Sequence, residues 1–168
     1  RYTMSKVENL VTLKEELENI KIYFSIQKYR FDERLSLSVE YDDEDCLNYQ
    51  IPKLTLQPIV ENSIVHGLEQ KIGEGRIRLI IRCTEKRLLI QISDNGVGMN
   101  PEVLEKLNKQ LNEPVFEGLQ LSSGKGGIAI VNVSNRIHLL FGEEYGMSVY
   151  SVPDMGTDTI ISLPLLKR

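Results

Sequence analysis

Three short segments of the 168-residue chain set glycine beside polar side chains in a way that core packing does not require. The first, Asp94-Asn95-Gly96-Val97-Gly98-Met99, closes a hydrophobic run. A carboxylate at a strand end accepts a hydrogen bond from an amine, and two glycines let backbone approach a flat ligand. Asp-Asn-Gly is also an ordinary turn. The second, Gly124-Lys125-Gly126-Gly127, opens into a helical run. Free N–H groups and the positive end of the helix dipole suit a phosphate there. The spacing is not G-x-x-x-x-G-K-[ST], which excludes the standard P-loop, and a plain flexible loop is the other reading. The third is Glu61-Asn62-Ser63-Ile64-Val65-His66. Asn62 and His66 stand four apart and share a helix face. An amide oxygen suits Mg²⁺, a hard cation often held together with substrate phosphates, and His66 can donate to a phosphate. The alternative is a helix whose polar side faces water.

The elements that must position these residues follow from hydrophobic spacing. Leu10, Leu13, Leu17, Ile20 and Phe24 recur at threes and fours, which predicts a helix over residues 1–30. That stripe either packs on its own domain or continues an upstream coiled element. Ile22, Tyr23, Ile26 and Tyr29 widen the apolar face where the helix is expected to meet the body. Leu35–Tyr41 alternates as a half-buried strand, and Asp42–Asp45 is an acidic, solvated turn. Leu54–Leu68 has helical spacing, with Pro58 expected to bend it. Arg76–Thr84 and Leu88–Asp94 form a hairpin, as do Met147–Val152 and Thr157–Leu163. Pro101–Leu111 and Gly127–Phe141 read as helices, the second carrying His138 in a half-buried structural place. Strands joined mainly as hairpins imply an α+β two-layer domain, a mixed, mostly antiparallel sheet with helices on one face.

Composition narrows the function classes. Hydrophobic residues are 41% and charged residues 26%, as in an ordinary globular domain, and the length fits about one domain. A net charge of −4 gives no electrostatic footprint for nucleic acid. Two cysteines, Cys46 and Cys83, are too few for a disulfide framework, and with two histidines a Cys/His zinc site is not expected. No apolar run approaches the roughly 18 residues of a membrane span. The first residue is Arg1 rather than Met, so a piece of a longer protein is expected.

Together and in this order, the three segments resemble the ATP-binding domain of the GHKL superfamily, which includes gyrase-type ATPases, the heat-shock chaperone, MutL-type repair proteins and sensor histidine kinases. Within it the chain is most similar to the YesM/LytS-type histidine kinases. The resemblance is carried by V-T-L-K-E-E-L-E-N-I-K-I-Y-F-S-I-Q-K-Y-R-F from Val11, I-P-K-L-T-L-Q-P-I-V-E-N-S-I-V-H-G from Ile51, S-D-N-G-V-G-M, G-K-G-G-I-A-I-V-N-V-S-N-R-I and G-T-D-T-I-I-S-L-P.

The resemblance implies a Bergerat-type fold and an ATP-binding catalytic domain over residues 31–168, with residues 1–30 as the tail of a phosphoacceptor and dimerisation element. It implies that Asn62 binds Mg²⁺, with Glu61 and His66 beside it in the catalytic N-box. Asp94 accepts the adenine amine, Thr157 supports that edge through water, and Gly96 and Gly98 let the base lie on backbone. Gly124, Lys125, Gly126 and Gly127 close around the phosphates, under a lid formed by Asn100–Ser123. Glu61 orients the metal shell or makes polar contacts; Pro58 fills the place of the gyrase-type hydrolytic Glu. Val65 and Ala129 stand where relatives commonly carry Lys and Gly. The implied function is transfer of the γ-phosphoryl of Mg·ATP to a histidine outside the chain, then to a response regulator. The full protein is implied to be a membrane-anchored bacterial homodimer with this domain in the cytoplasm. Alternatives are a GHKL-type ATPase or protein-serine kinase of the anti-sigma kind, and a catalytically idle interaction module.

Overall fold

The structure, a computed structural model, describes residues 9–31, 33–113 and 128–167. In chain order the elements are β1 (Leu10–Thr12), α1 (Leu13–Arg30), β2 (Leu35–Tyr41), a 3₁₀ turn (Glu44–Asn48), β3 (Gln50–Pro52) and α2 (Gln57–Asn62), which continues as a π turn (Ser63–Leu68). Then come β4 (Gly75–Cys83), β5 (Arg87–Asp94), α3 (Pro101–Asn112), α4 (Ile128–Phe141), β6 (Gly146–Val152) and β7 (Gly156–Pro164).

Alternating apolar residues make strands because one face of each meets the helices. The main sheet runs β2-β4-β5-β7-β6, with β2 and β4 parallel and every other neighbouring pair antiparallel. The parallel pair is possible because α2 lies between its strands in the chain, long enough for a crossover. The expected mixed, mostly antiparallel sheet is therefore present. β1 and β3 add a separate two-stranded antiparallel ribbon that periodicity alone did not show.

On β5, Leu88, Ile90 and Ile92 are buried and the residues between them are half-buried. Register aligns them with Ile81 and Leu79 of β4, Leu163, Ile161 and Thr159 of β7, and through these with Met147 and Val149 of β6. Leu13, Leu17, Ile20 and Phe24 of α1 join the same core. Truncating one such side chain to Ala costs about 2–5 kcal/mol. The stripe thus packs on this chain's own body. Leu10, expected at its head, lies in β1, and the helix starts at a capping box. There Glu15 N donates to Thr12 Oγ1 at 3.1 Å and Thr12 N to Glu15 Oε1 at 3.3 Å. Ile22, Ile26 and Tyr29 do not meet the body as expected; they are exposed, forming a strip apart from Phe24.

Pro58 does not bend a long helix either. It occupies the first turn of α2, where its missing N–H leaves no bond unmade. The departure from α geometry comes later, where Glu69 N bonds Ile64 O at 2.9 Å across five residues. Cys46 and Cys83 are free thiols brought to 2.6 Å, joining the 3₁₀ turn to the end of β4. Burial, then the hydrogen bond to Cys46, pushes the Cys83 thiol up to about 12. The acidic turn is not merely solvated: Asp45 pairs with Lys167 at 2.6 Å, which holds the Asp45 carboxyl below its usual range.

Candidate functional site

Strand parity decides what Asp94 does. With Leu88, Ile90 and Ile92 turned inward, residue 94 must also face the helix layer, so β5 ends by putting a carboxylate on the core side. Asp94 is only 9% exposed. It pairs in register with Thr157 of β7, which pairs with Ser151 of β6. The apolar inner face therefore finishes in a polar cross-strand row, Asp94–Thr157–Ser151.

Burial pushes the Asp94 carboxyl above the usual carboxylate range, and hydrogen bonds from Gly96 N–H, the Ser63 hydroxyl and Thr157 N–H draw it partly back. The Gly96 bond measures 2.8 Å. Ser151 Oγ accepts from Met99 N at 2.8 Å and donates to Gly156 O at 2.8 Å, and it lies 2.9 Å from Thr157 Oγ1. One hydroxyl thus ties the glycine box to the β6–β7 turn. Ser63 and Ser151 were absent from the expected site. Ser63 follows Asn62 directly, and strand parity puts Ser151 on the inner face.

The N-box and the glycine box touch. A Cβ on Gly96 would lie 2.6 Å from the backbone of Gly67, and Val97 N donates to Gly67 O at 3.1 Å. Gly67 itself lies under Asp94, where a Cβ would come 3.2 Å from Oδ1. The π turn ends in this contact, so its extra residue delivers Gly67 to the strand end. Gly98 has φ +71°, and a Cβ there would lie 2.2 Å from Val152 O. Gly96 and Gly98 are thus demanded by protein contacts, a reason independent of the expected approach of a base. Asn95 is structural, accepting from Arg76 N at 2.7 Å and donating to Glu74 O at 3.1 Å.

Asn62 ends α2 half-buried, and His66 is exposed in the π turn. Glu61 accepts from Gln57 Nε2 at 3.1 Å, and its charge contributes, after burial, to raising the Tyr23 hydroxyl. Gly124, Lys125, Gly126 and Gly127 lie outside the described residues, as does most of 113–123 in the expected lid. The lid's first part is α3, capped by Asn100 Oδ1, which accepts from Val103 N at 2.9 Å. His138 is half-buried on α4 with Nδ1 lacking a hydrogen-bond partner, and the absent side chain of Gly146 makes its space: a Cβ there would sit 2.5 Å from Nε2. An open groove of about 710 Å³ lies elsewhere, between α1 and residues 43–48, and none of the expected site residues that the structure describes lines it.

The donor set fits a nucleotide with a divalent ion. Asp94 offers an acceptor to an amine in a buried place, and Asn62 offers one neutral oxygen. An ion held by a single amide takes its other oxygens from phosphates and water, as Mg²⁺ commonly does.

Comparison with known proteins identifies the family. The family model described as histidine kinase-, DNA gyrase B-, and HSP90-like ATPase matches residues 51–167, and a model described as histidine kinase matches residues 1–35. The sensor histidine kinase YesM of Bacillus subtilis is 36% identical over 98% of this chain and 26% of its own length. The sensor protein LytS of Oceanobacillus iheyensis is 35% identical over 94% of the chain, again 26% of its own length. The chain thus spans about a quarter of these relatives. The catalytic domain of histidine kinase ThkA superposes with TM-score 0.64 at 15% identity, covering 94% of this chain and 97% of that one. The mycobacterial sensor histidine kinase MprB gives 0.58 at 16%, covering 95% and 98%. At such identity the superpositions speak for the fold alone. With an acceptor buried at the inner end of β5, the Glu61–His66 segment leading into a contact with it and a family match over most of its length, the chain belongs to the histidine kinase-, DNA gyrase B- and HSP90-like ATPases.

Proposed function

We propose that this domain binds Mg·ATP and passes the γ-phosphoryl to a histidine on another segment of a longer protein. The observation that carries the reading is Asp94, a buried carboxylate whose neighbours on the inner face are Thr157 and Ser151. Adenine presents an amine where guanine presents a carbonyl. An acceptor facing an acceptor leaves both unpaired in a dry site, which supports discrimination on the order of 10⁴-fold. Thr157 backs the same edge through water.

Asn62 would hold Mg²⁺, His66 would donate to a phosphate, and Glu61 would steady the shell around them. Gly124, Lys125, Gly126 and Gly127 would meet the triphosphate ahead of α4, whose N-terminal dipole favours negative charge. Mg²⁺, when bound, neutralises charge on the β- and γ-oxygens. In the transfer the γ-phosphorus leaves its bridging oxygen, releasing ADP, and bonds to an imidazole nitrogen of the acceptor. Such chemistry is mostly positioning and charge stabilisation. The chain's two histidines, His66 and His138, have other places in this reading. α1 joins the body to an upstream phosphoacceptor and dimerisation element, and a response regulator receives the phosphoryl group. The whole protein is a homodimer anchored in a membrane; among the described residues no helix is long and apolar enough to cross one.

Titration calorimetry with Mg·ATP and Mg·GTP tests the site. We expect ATP to bind and GTP to bind at least about a hundredfold more weakly; equal affinities would remove Asp94 from the base-reading role. With γ-labelled ATP the chain alone takes up no stable label, and adding the upstream segment restores it. Acid-labile label on residues 1–168 themselves would place the acceptor here instead.

A further inference from the structure

The N-box helix begins without a cap of its own. Leu56, its N-cap residue, makes no side-chain capping bond. Just ahead of it Leu54 holds φ +60°, a left-handed conformation in which Cβ crowds the following carbonyl oxygen. What holds this approach in place comes from another element. Glu16 of α1, 2% exposed, accepts from Leu54 N at 3.1 Å, from Thr55 N at 2.6 Å and from Leu56 N at 2.8 Å. Thr55 Oγ1 donates back to Pro52 O at 2.5 Å, tightening the same turn. Arg136 of α4 donates to Lys53 O, and its guanidinium feels the Glu16 charge. The carboxylate therefore joins α1 to the 53–56 turn, and Arg136 joins that turn to α4, at the start of the helix that ends in Asn62.

From this geometry we infer that Glu16 is a positioning residue for the metal-binding half of the nucleotide site, fixing where α2 starts and hence where Asn62 stands. The inference rests on the function proposed above. The cause is mechanical. A single short helix separates the Glu16 contacts from Asn62, and a helix transmits displacement of its first turn to its last. Without the carboxylate, three N–H groups lose their acceptor in a buried place, and nothing opposes relaxation of Leu54 toward a common backbone conformation. Asp94 is held in the sheet by β5, between β4 and β7, and meets the far end of this helix only through the Ser63 hydroxyl and Gly67.

Glu16→Gln tests it, since the amide nitrogen cannot accept while side-chain size is kept. Ile20→Ala serves as control, being fully buried on α1 yet remote in its bonding from the turn. Well below both melting temperatures, E16Q is expected to bind Mg·ATP about tenfold more weakly than wild type and to bind ATP in EDTA equally well. I20A should lose comparable stability and keep both affinities. Unchanged Mg·ATP binding in E16Q, or equal losses with and without Mg²⁺ in both variants, overturns the inference. Should E16Q not fold, Glu16→Asp keeps the charge but shortens the reach to the Leu54, Thr55 and Leu56 N–H groups, and carries the same two arms with a smaller loss expected in the Mg²⁺ arm alone; no such selective loss overturns the inference as well. A wild-type chain that binds no ATP at all would instead defeat the proposed function itself.

Discussion

At the scale of residues, the site is an acid placed where acids are costly. Burial raises the Asp94 carboxyl, so its ionised form opposes folding while serving recognition. The two effects carry opposite pH signs. Above the unfolded Asp value of about 3.9, the folded state binds the proton more readily, so this group's contribution to stability increases as pH falls through the folded pKa. On the proposed reading the ionised carboxyl is the stronger acceptor for the adenine amine, so affinity should drop over the same window. Adenosine, which has no phosphates to titrate, should lose affinity on acidification before an ordinary aspartate would protonate, as calorimetry across pH 4–7 will show. Asp94→Leu, which nearly keeps the size and removes both acceptor oxygens, should shift the melting temperature by only a few degrees while weakening ATP at least about a hundredfold. Binding retained in that variant would mean the base is read elsewhere. Gly96→Ala makes the complementary test. Its new methyl meets Gly67 backbone rather than a yielding side chain, so about 1–3 kcal/mol of stability should go, seen as a lower denaturant midpoint.

At the scale of elements, what repeats was legible and what depends on a distant partner was not. Alternation along Leu88–Asp94 and Thr157–Leu163 gave both strands to within a residue or two, because burial of one face imposes a period of two. The same parity, carried one step further, would have turned Asp94 and Ser151 inward before any coordinates existed. Spacing around Pro58 misled, since a proline is equally at home at a helix start, and only the first bonded turn tells the cases apart. β1 stayed hidden because three residues paired to β3 carry no period. The Glu16 contacts were hidden for the same reason, their partners lying 38–40 positions away. The capping box of α1 makes its own prediction. Thr12→Ala should cost about 0.5–2 kcal/mol in chemical unfolding, with ATP affinity unaltered. A nucleotide effect there would tie the cap to the site.

At the scale of the whole molecule, α1 and the sheet are one cooperative body, since Leu13, Leu17, Ile20 and Phe24 share the core with β4, β5 and β7. A ligand that binds only the folded state should therefore stabilise the whole: at a hundred times its dissociation constant, about 2.7 kcal/mol, or roughly 5–10 °C for a domain of this size. Differential scanning calorimetry with Mg·ATP should show a single shifted transition. Two separated transitions, with one unmoved, would mean that the helix and the sheet melt independently. β5 lies in the middle of this arrangement, bonded to β4 on one side and β7 on the other. Its amides should be among the last to trade protium for deuterium, later than those of β2 and β6, each of which has, among the described residues, a neighbour on one side only. On the proposed reading, the acid that tells one purine from another is thus mounted on a strand bonded on both sides, so nucleotides could come and go many times without that sensor drifting from its setting.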